Sequence, residues 1–277
     1  MSVSLDLLMI AEKDLEASRW LYNKKLYPQS IFYLEQAVEK AVKSLAIYTN
    51  IVTEREVKAD IGHDAWKFFY KICIKVREKI EWFQETLNKF SALKKINFLE
   101  RLSIQADELK GKSINCEKFF REKAYLSLSS SEEGLQSTVL AINELRRISF
   151  KIKEIDLIIE TNEIEKFKRD LLEFLGLHKI LNPELIKEID EIVTKEFVLE
   201  MLKKLLEYSS NIVLCYMPLL FLSAIFSPYA VNTRYPDKGF NPVDVFTENH
   251  PLVKMLPSLI EITNETLERI KFMLKAE

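Results

Sequence analysis

Apolar residues recur at every third or fourth position through residues 28 to 49, which is the period of an amphipathic α-helix. They are Ile31, Leu34, Val38, Ala41 and Leu45. Pro28 stands at the start of this stretch, where a helix does not need the N–H that proline lacks. The sequence therefore predicts a helix that begins near Pro28, ends near Thr49 and buries one apolar stripe.

The opposite face of this predicted helix mixes polar and apolar residues. At about 100° per residue, four polar side chains gather there, and they are Gln36, Glu39, Lys40 and Lys43. Phe32 and Ile47 lie among them, which is not expected of a face that meets only water. We interpret this mixed face as a contact surface.

The remainder of the chain has few residues that break helices. Only 5 glycines and 8 prolines occur among 277 residues, while Leu, Ile, Glu and Lys are abundant, which disfavours a turn-rich β-architecture. An amphipathic helix is predicted from Leu5 to about Leu26, further helices up to about Glu207, and a last helix from Pro251 or Pro257 to Leu274. The predicted fold class is all-α.

An apolar run from Asn211 to Phe226 is interrupted by Pro218. It falls short of the roughly 18 to 20 apolar residues that a membrane span requires. We therefore predict a buried core helix here and no membrane association. The residues that follow, 232–243, are rich in Asn, Asp, Gly and Pro, and they predict an irregular connection.

Charge and cysteine usage exclude several classes of protein. The net charge of −2 provides no overall basic field for nucleic acid. Cys73, Cys116 and Cys215 lie far apart without a CxxC pair, which argues against a disulfide framework or a zinc site. Without a visible signal peptide, we expect a cytoplasmic protein. No glycine-rich phosphate loop or metal-binding cluster is present, so no metal and no cofactor is predicted.

Four short segments, in this order, resemble HEPN domains. These are all-α domains named for higher eukaryotes, prokaryotes and a nucleotide-binding role. The segments are Ala11–Leu15 (AEKDL), Gln36–Leu45 (QAVEKAVKSL), Gly62–Asp64 (GHD) and Thr233–Asp237 (TRYPD). The resemblance implies a HEPN-like up-and-down helical bundle.

The spacing of these segments predicts a discontinuous domain. The resemblance covers residues 1–75 and 208–277, and the helical residues 76–207 between them are predicted to be an insertion. Residues some two hundred positions apart, in the Gln36 and Thr233 segments, are then expected to be neighbours in one bundle.

Many HEPN domains are metal-independent ribonucleases that use an Arg-x4-6-His motif, in which arginine holds phosphate and histidine assists attack by the 2′-hydroxyl. Neither candidate here completes that motif. The positions that should hold an arginine before His63 are Glu56, Val57 and Lys58. The positions that should hold a histidine after Arg234 are Gly239, Phe240 and Asn241. His63 and Arg234 remain catalytic candidates, but we expect no independent ribonuclease activity.

The TRYPD segment could bind a nucleotide without catalysis. The guanidinium of Arg234 could hold a phosphate in two hydrogen bonds, Tyr235 could stack on a base, and Asp237 completes the candidate site. Lys40 and Lys43 are further candidates for contact with an anion. In the competing interpretation, Arg234 and Asp237 pair with the polar face of the second helix, around Glu39 and Lys43, and the lysines are solvated. For His63, the competing role is that of a helix cap or a core residue.

The sequence thus predicts a HEPN-domain protein that binds a nucleotide, RNA or a partner protein. The resemblance also implies a homodimer, and a nucleotidyltransferase partner in a toxin–antitoxin module. A divergent HEPN ribonuclease toxin and a purely structural helical protein are the alternatives.

Overall fold

The computed structural model describes residues 3–57, 66–89, 131–153, 191–237 and 239–275, with residues 110, 111, 114, 115, 118, 122, 169, 184 and 187. Regular structure in these ranges is helical, apart from one bridge between Asp237 and Phe240. The helices are α1 (Val3–Asn23), α2 (Tyr27–Tyr48), α3 (Glu54–Glu56), α4 (Trp66–Lys89), α5 (Glu132–Lys153), α6 (Lys195–Phe226), α7 (Tyr229–Asn232), α8 (Pro242–Val245) and α9 (Pro251–Lys275). The predicted all-α fold is confirmed.

Helices α1 and α2 are antiparallel and are joined by two pairs of buried serines. The Ser4 hydroxyl donates to the Ser44 carbonyl at 2.8 Å, and the Ser44 hydroxyl donates back to the Ser4 carbonyl at 2.7 Å. Ser18 and Ser30 exchange the same two bonds at 2.8 and 2.9 Å. Since a serine has a short side chain, the two backbones can approach closely at both ends of the contact.

Helix α1 ends three residues earlier than the predicted Leu26, at a turn built around Lys25. The backbone N–H of Leu26 donates to the Leu21 carbonyl, and that of Lys25 donates to the Tyr22 carbonyl. Lys25 has a φ of 59°, the left-handed conformation that this type of helix end requires. The turn reverses the chain, so that α2 can begin at Tyr27 with Pro28 in its first turn.

The predicted apolar stripe of α2 forms the centre of the core. Its five members, Ile31, Leu34, Val38, Ala41 and Leu45, are at most 1% exposed. Phe32 and Ile47, on the mixed face, are only partly buried. The predicted orientation of this helix is therefore confirmed.

Helix α9 packs on α1 and α2, and it runs parallel to α2. The Tyr48 hydroxyl, at the end of α2, donates to the Met273 carbonyl near the end of α9 at 3.2 Å. Lys271 pairs with Glu12 of α1 at 2.6 Å. Helix α9 starts at Pro251, the earlier of the two predicted positions, and continues through an exposed Pro257. Leu274, the predicted end of this helix, lies in its last turn and is only partly buried.

The apolar half of α6 is a core element, as the sequence predicted. Leu219, Leu222 and Ile225 are fully buried, and Pro218 lies within the helix. The Tyr216 hydroxyl donates to the Thr49 side chain at 2.5 Å, which ties this helix to the end of α2. None of the helices in the described ranges has both the length and the hydrophobicity needed to cross a bilayer.

The chain divides into two compact units. The first comprises residues 1–78, 110–147 and 211–277, and the second comprises residues 79–109 and 148–210. This division assigns residues 110–147, which lie within the predicted insertion at 76–207, to the first unit. The predicted domain boundaries stay a prediction, and the elements discussed below lie in the first unit.

Candidate functional site

Arg234 follows the short helix α7 and lies against α2. Its guanidinium carbon is 5.2 Å from the centre of the Phe32 ring and 5.7 Å from that of Tyr235. The Nε–H donates to the Ala230 carbonyl at 2.8 Å, which fixes the side chain from its own turn. Both ring contacts are within the range of a cation–π interaction. The contact between Phe32 and Arg234 confirms the prediction that segments about two hundred residues apart are neighbours.

The outer edge of this guanidinium is available to a ligand. Arg234 is exposed, and within the described part of the chain its terminal nitrogens donate no hydrogen bond and meet no carboxylate at ion-pair distance. Beside it, Tyr235 is 63% exposed. A guanidinium with two free N–H groups can hold a phosphate in parallel hydrogen bonds, and an exposed aromatic ring can stack on a base.

Glu35 is the charged residue that sequence reasoning missed. It lies one helical turn after Phe32 on α2 and is only 7% exposed. Burial raises the pKa of its carboxyl above the ordinary value, and the Glu39 charge acts in the same direction. The Gln36 amide, which donates to Glu35 at 2.8 Å, and the charges of Arg234 and Lys40 oppose this rise. We call Phe32, Glu35, Arg234 and Tyr235 together the Arg234 surface.

Lys40 and Lys43 are both held in ion pairs on or beside α2. Lys40 is 2.7 Å from an Asp14 oxygen of α1 and donates to the Gln36 side-chain oxygen at 2.9 Å. Lys43 donates to Glu39, a residue only 3% exposed, at 2.5 Å. Neither lysine is simply solvated. Their predicted role as anion ligands stays a prediction, and any such anion competes with these carboxylates.

Asp237 begins a tight turn in the connection between α7 and α8. Its backbone exchanges two hydrogen bonds with Phe240, at 2.9 and 2.8 Å. Gly239 occupies the third position of the turn with a φ of 83°, a conformation that side-chain-bearing residues rarely adopt. This turn follows directly on Arg234 and Tyr235. Arg234 reaches α2 at Phe32, and the competing interpretation, in which Arg234 and Asp237 pair around Glu39 and Lys43, stays a prediction.

The candidate residue His63 and its neighbour Asp64 lie outside the described residues. The position of His63 relative to the Arg234 surface therefore stays untested. His250 has a local role. Its Nδ1 accepts the backbone N–H of Leu252 at 3.2 Å, which caps the start of α9. Its ring packs against Phe246, with 4.9 Å between the ring centres. Burial lowers the pKa of His250 below its ordinary value.

A separate surface cleft of about 270 Å³ lies where the α1–α2 turn meets the residues before α9. Lys25 and Glu248 form an ion pair of 2.6 Å at its rim, and the Tyr27 hydroxyl donates to Glu248 at 3.2 Å. Arg234 does not line this cleft.

Comparison with known proteins finds a family match in the N-terminal part of the chain. Residues 4–133 match the family model described as the HEPN domain. The chain is 31% identical over 78 residues to a Methanocaldococcus jannaschii protein named "Putative toxin MJ1304". The aligned residues make up 28% of this chain and 47% of that protein. The chain thus covers about half the length of this relative. No solved structure matches the chain. The matched range extends beyond residue 75 and does not include the TRYPD segment.

Proposed function

Because this chain contains a HEPN domain, we propose that it binds a nucleoside phosphate, either as a free nucleotide or within RNA, at the Arg234 surface. The single observation that supports this most is the geometry of Arg234. Its guanidinium is positioned by Phe32, Tyr235 and its own Nε–H bond, while its terminal nitrogens have no partner within the described residues. A side chain that is already ordered loses less conformational entropy when it binds a ligand.

The two parts of such a ligand would contact two different side chains. The phosphate would accept two hydrogen bonds from the terminal nitrogens of Arg234, and hydrogen bonds to a charged partner are each worth about 1.5–3 kcal/mol. The base would stack on the exposed ring of Tyr235, a contact worth about 1–3 kcal/mol. We expect the phosphate contact to operate with any nucleotide, and the stacking contact to be tolerant of base identity.

Fluorescence anisotropy with a labelled single-stranded RNA of about 12 nucleotides, with unlabelled AMP as competitor, tests this proposal. We expect Arg234→Gln to weaken RNA binding by about tenfold or more, since it removes the charge and the bidentate contact. Tyr235→Leu should weaken it and Tyr235→Phe should not. Competition by AMP identifies a free nucleotide as a sufficient ligand, and its failure restricts the site to RNA.

Lys24→Gln is the matched control. The Lys24 ammonium lies 5.8 Å from the centre of the exposed Trp20 ring, so this variant also removes a surface cation that rests on an aromatic side chain. Its RNA affinity should equal that of the wild type. If Arg234→Gln binds RNA as tightly as Lys24→Gln does, the proposed site is wrong.

A role related to toxin–antitoxin systems is the second proposal, and it is supported by the name of the archaeal relative. A nucleotidyltransferase partner and a homodimer belong to the same proposal. Induced expression in a bacterial host tests it. We expect growth arrest with the wild type and relief of that arrest with Arg234→Gln, and unimpaired growth with the wild type would contradict a toxic activity.

The alternative of a divergent ribonuclease requires a separate assay. Purified protein is incubated with structured and unstructured RNA in the presence of EDTA. Because the Arg-x4-6-His motif is incomplete at both candidate positions, we expect no cleavage. Cleavage that His63→Ala abolishes would establish the enzymatic alternative instead.

A further inference from the structure

The Arg234 surface contains a buried carboxylate beside its exposed guanidinium. Glu35 and Phe32 are three positions apart on α2, so they lie on the same face of that helix. Arg234 rests over the Phe32 ring at 5.2 Å and acts on the charge of Glu35. An anion that binds Arg234 therefore binds next to a residue that carries the same sign of charge when it is ionised.

Charged groups from two elements act on Glu35, and a third element contributes a carboxylate that pairs with Lys40. From α2 itself come Glu39 and Lys40, and from the segment after α7 comes Arg234. From α1 comes Asp14, whose carboxylate holds Lys40 at 2.7 Å. Lys40 is thus already paired, whereas Arg234 has no carboxylate at ion-pair distance within the described residues.

The electrostatic consequence follows from this arrangement. Burial disfavours the ionised form of Glu35 and raises the pKa of its carboxyl, and the positive charge of Arg234 acts against that rise. A phosphate bound to Arg234 would cancel this favourable field and add a negative charge of its own. Both effects favour the neutral carboxylic acid at Glu35.

We propose that Glu35 couples anion binding at Arg234 to the uptake of protons from solvent, so that the neutral carboxylic acid of Glu35 is more populated when a phosphate group occupies the guanidinium. This coupling rests on the function proposed above and adds a specificity-determining residue to the same site. By thermodynamic reciprocity, protonation of Glu35 must increase the affinity of Arg234 for phosphate by the same factor. Binding is then tighter in mildly acidic conditions than in basic ones.

The phosphodiester ApA is a suitable probe, because its phosphate carries one negative charge across the range of pH 5 to 8 and does not itself titrate there. Isothermal titration calorimetry of the wild type and of Glu35→Gln is carried out at pH 5 and pH 8, in two buffers of different ionisation enthalpy. The wild type should take up a fraction of a proton on binding, and its affinity should fall several-fold from pH 5 to pH 8. Glu35→Gln should show neither effect and should bind tightly at both pH values.

Glu12→Gln is the control, because Glu12 is a carboxylate paired with Lys271 and lies outside the Arg234 surface. It should retain the pH dependence of the wild type. If ApA binding requires Arg234 but has the same pH dependence in Glu35→Gln as in the wild type, the coupling is wrong and the proposed function stands. If ApA binds neither protein at either pH, the proposed function fails, and the coupling fails with it.

A measurement without ligand separates the two proposals further. The carboxyl carbon of Glu35 is followed by NMR during a pH titration of the wild type and of Arg234→Gln. Because the Arg234 charge favours the ionised carboxylate, its removal should move the titration midpoint to higher pH. An unchanged midpoint would overturn the coupling even if nucleotides bind.

Discussion

Ser18 and Ser30 form a buried reciprocal pair that holds α1 against α2, and its removal has a predictable effect. Both residues are 0% exposed. Ser18→Ala removes the hydroxyl that donates to the Ser30 carbonyl at 2.8 Å and lies 3.2 Å from the Ser30 hydroxyl. The second hydroxyl still donates to the Ser18 carbonyl in this variant. The perturbation is therefore confined to one side of the pair.

The magnitude follows from the number of bonds lost. A typical intramolecular hydrogen bond contributes about 0.5–1.5 kcal/mol to the free energy of unfolding. We expect Ser18→Ala to reduce that free energy by about 1 kcal/mol, and Ser30→Ala to do the same. The two side chains are in contact at 3.2 Å, and substitutions of residues in contact are not additive. The double variant should therefore lose less than the sum, by about 0.5 kcal/mol.

Urea unfolding followed by circular dichroism measures these differences, because the midpoint shifts while the slope stays constant if only stability changes. Ser258→Ala is the matched control, since Ser258 is exposed on α9 and should give no shift. Two results would refute the reasoning. Ser18→Ala could be as stable as Ser258→Ala, or the two substitutions could be fully additive.

Three further substitutions test other parts of the structure. Burial lowers the pKa of His250. Its stabilising contribution is therefore present above the ordinary pKa and is lost as pH falls through the pKa of the folded state. Acid should destabilise the wild type more than His250→Asn in thermal melts. Asp14→Asn leaves Lys40, at 21% side-chain exposure, without its carboxylate, and should lower the unfolding free energy by about 1–3 kcal/mol; Glu16→Gln, in an exposed pair, should leave it unchanged. Gly239→Ala meets no atom within 4 Å but forces alanine to φ 83°, and should cost about 1–2 kcal/mol in urea unfolding. The first argument is wrong if acid destabilises His250→Asn as much as the wild type. The second and third are wrong if Asp14→Asn or Gly239→Ala has the same free energy of unfolding as the wild type.

The sequence was sufficient to predict the helices and the orientation of α2. Its apolar stripe repeats with the helical period over five positions, so burial of Leu34 or Leu45 follows from the pattern alone. The approach of Arg234 to α2 was also predictable, although only through the order of the HEPN-like segments. No local pattern connects residues two hundred positions apart.

Buried polar residues were not predictable in the same way. Hydropathy does not indicate that Ser18 is fully buried, because its burial depends on the partner that Ser30 supplies from another helix. Glu35 has the same property, since a glutamate beside an apolar stripe is usually exposed. The ion pair of Lys40 with Asp14 likewise depends on how α1 packs against α2. A useful signal for Glu35 is its position one turn after Phe32 and one turn before Glu39, on a face with few solvated residues.

The turn at Lys25 shows a different limit. Glycine is the usual residue for the left-handed end of a helix, and a lysine carries no such signal. The chain nevertheless adopts a φ of 59° there, with Lys25 paired to Glu248. The predicted helix end at Leu26 was therefore three residues too late.

The central claim is that the free edge of the Arg234 guanidinium is an anion-binding site. Titration of ¹⁵N-labelled protein with AMP, and separately with the single-stranded RNA, tests this most directly. The Nε–H signal of Arg234 is observed, and it is assigned by its loss in Arg234→Gln. The account predicts a saturable shift of that signal, with no comparable shift for the arginine side chains elsewhere. A signal that does not move while AMP or RNA binds, or the absence of any binding of AMP and RNA, would contradict it.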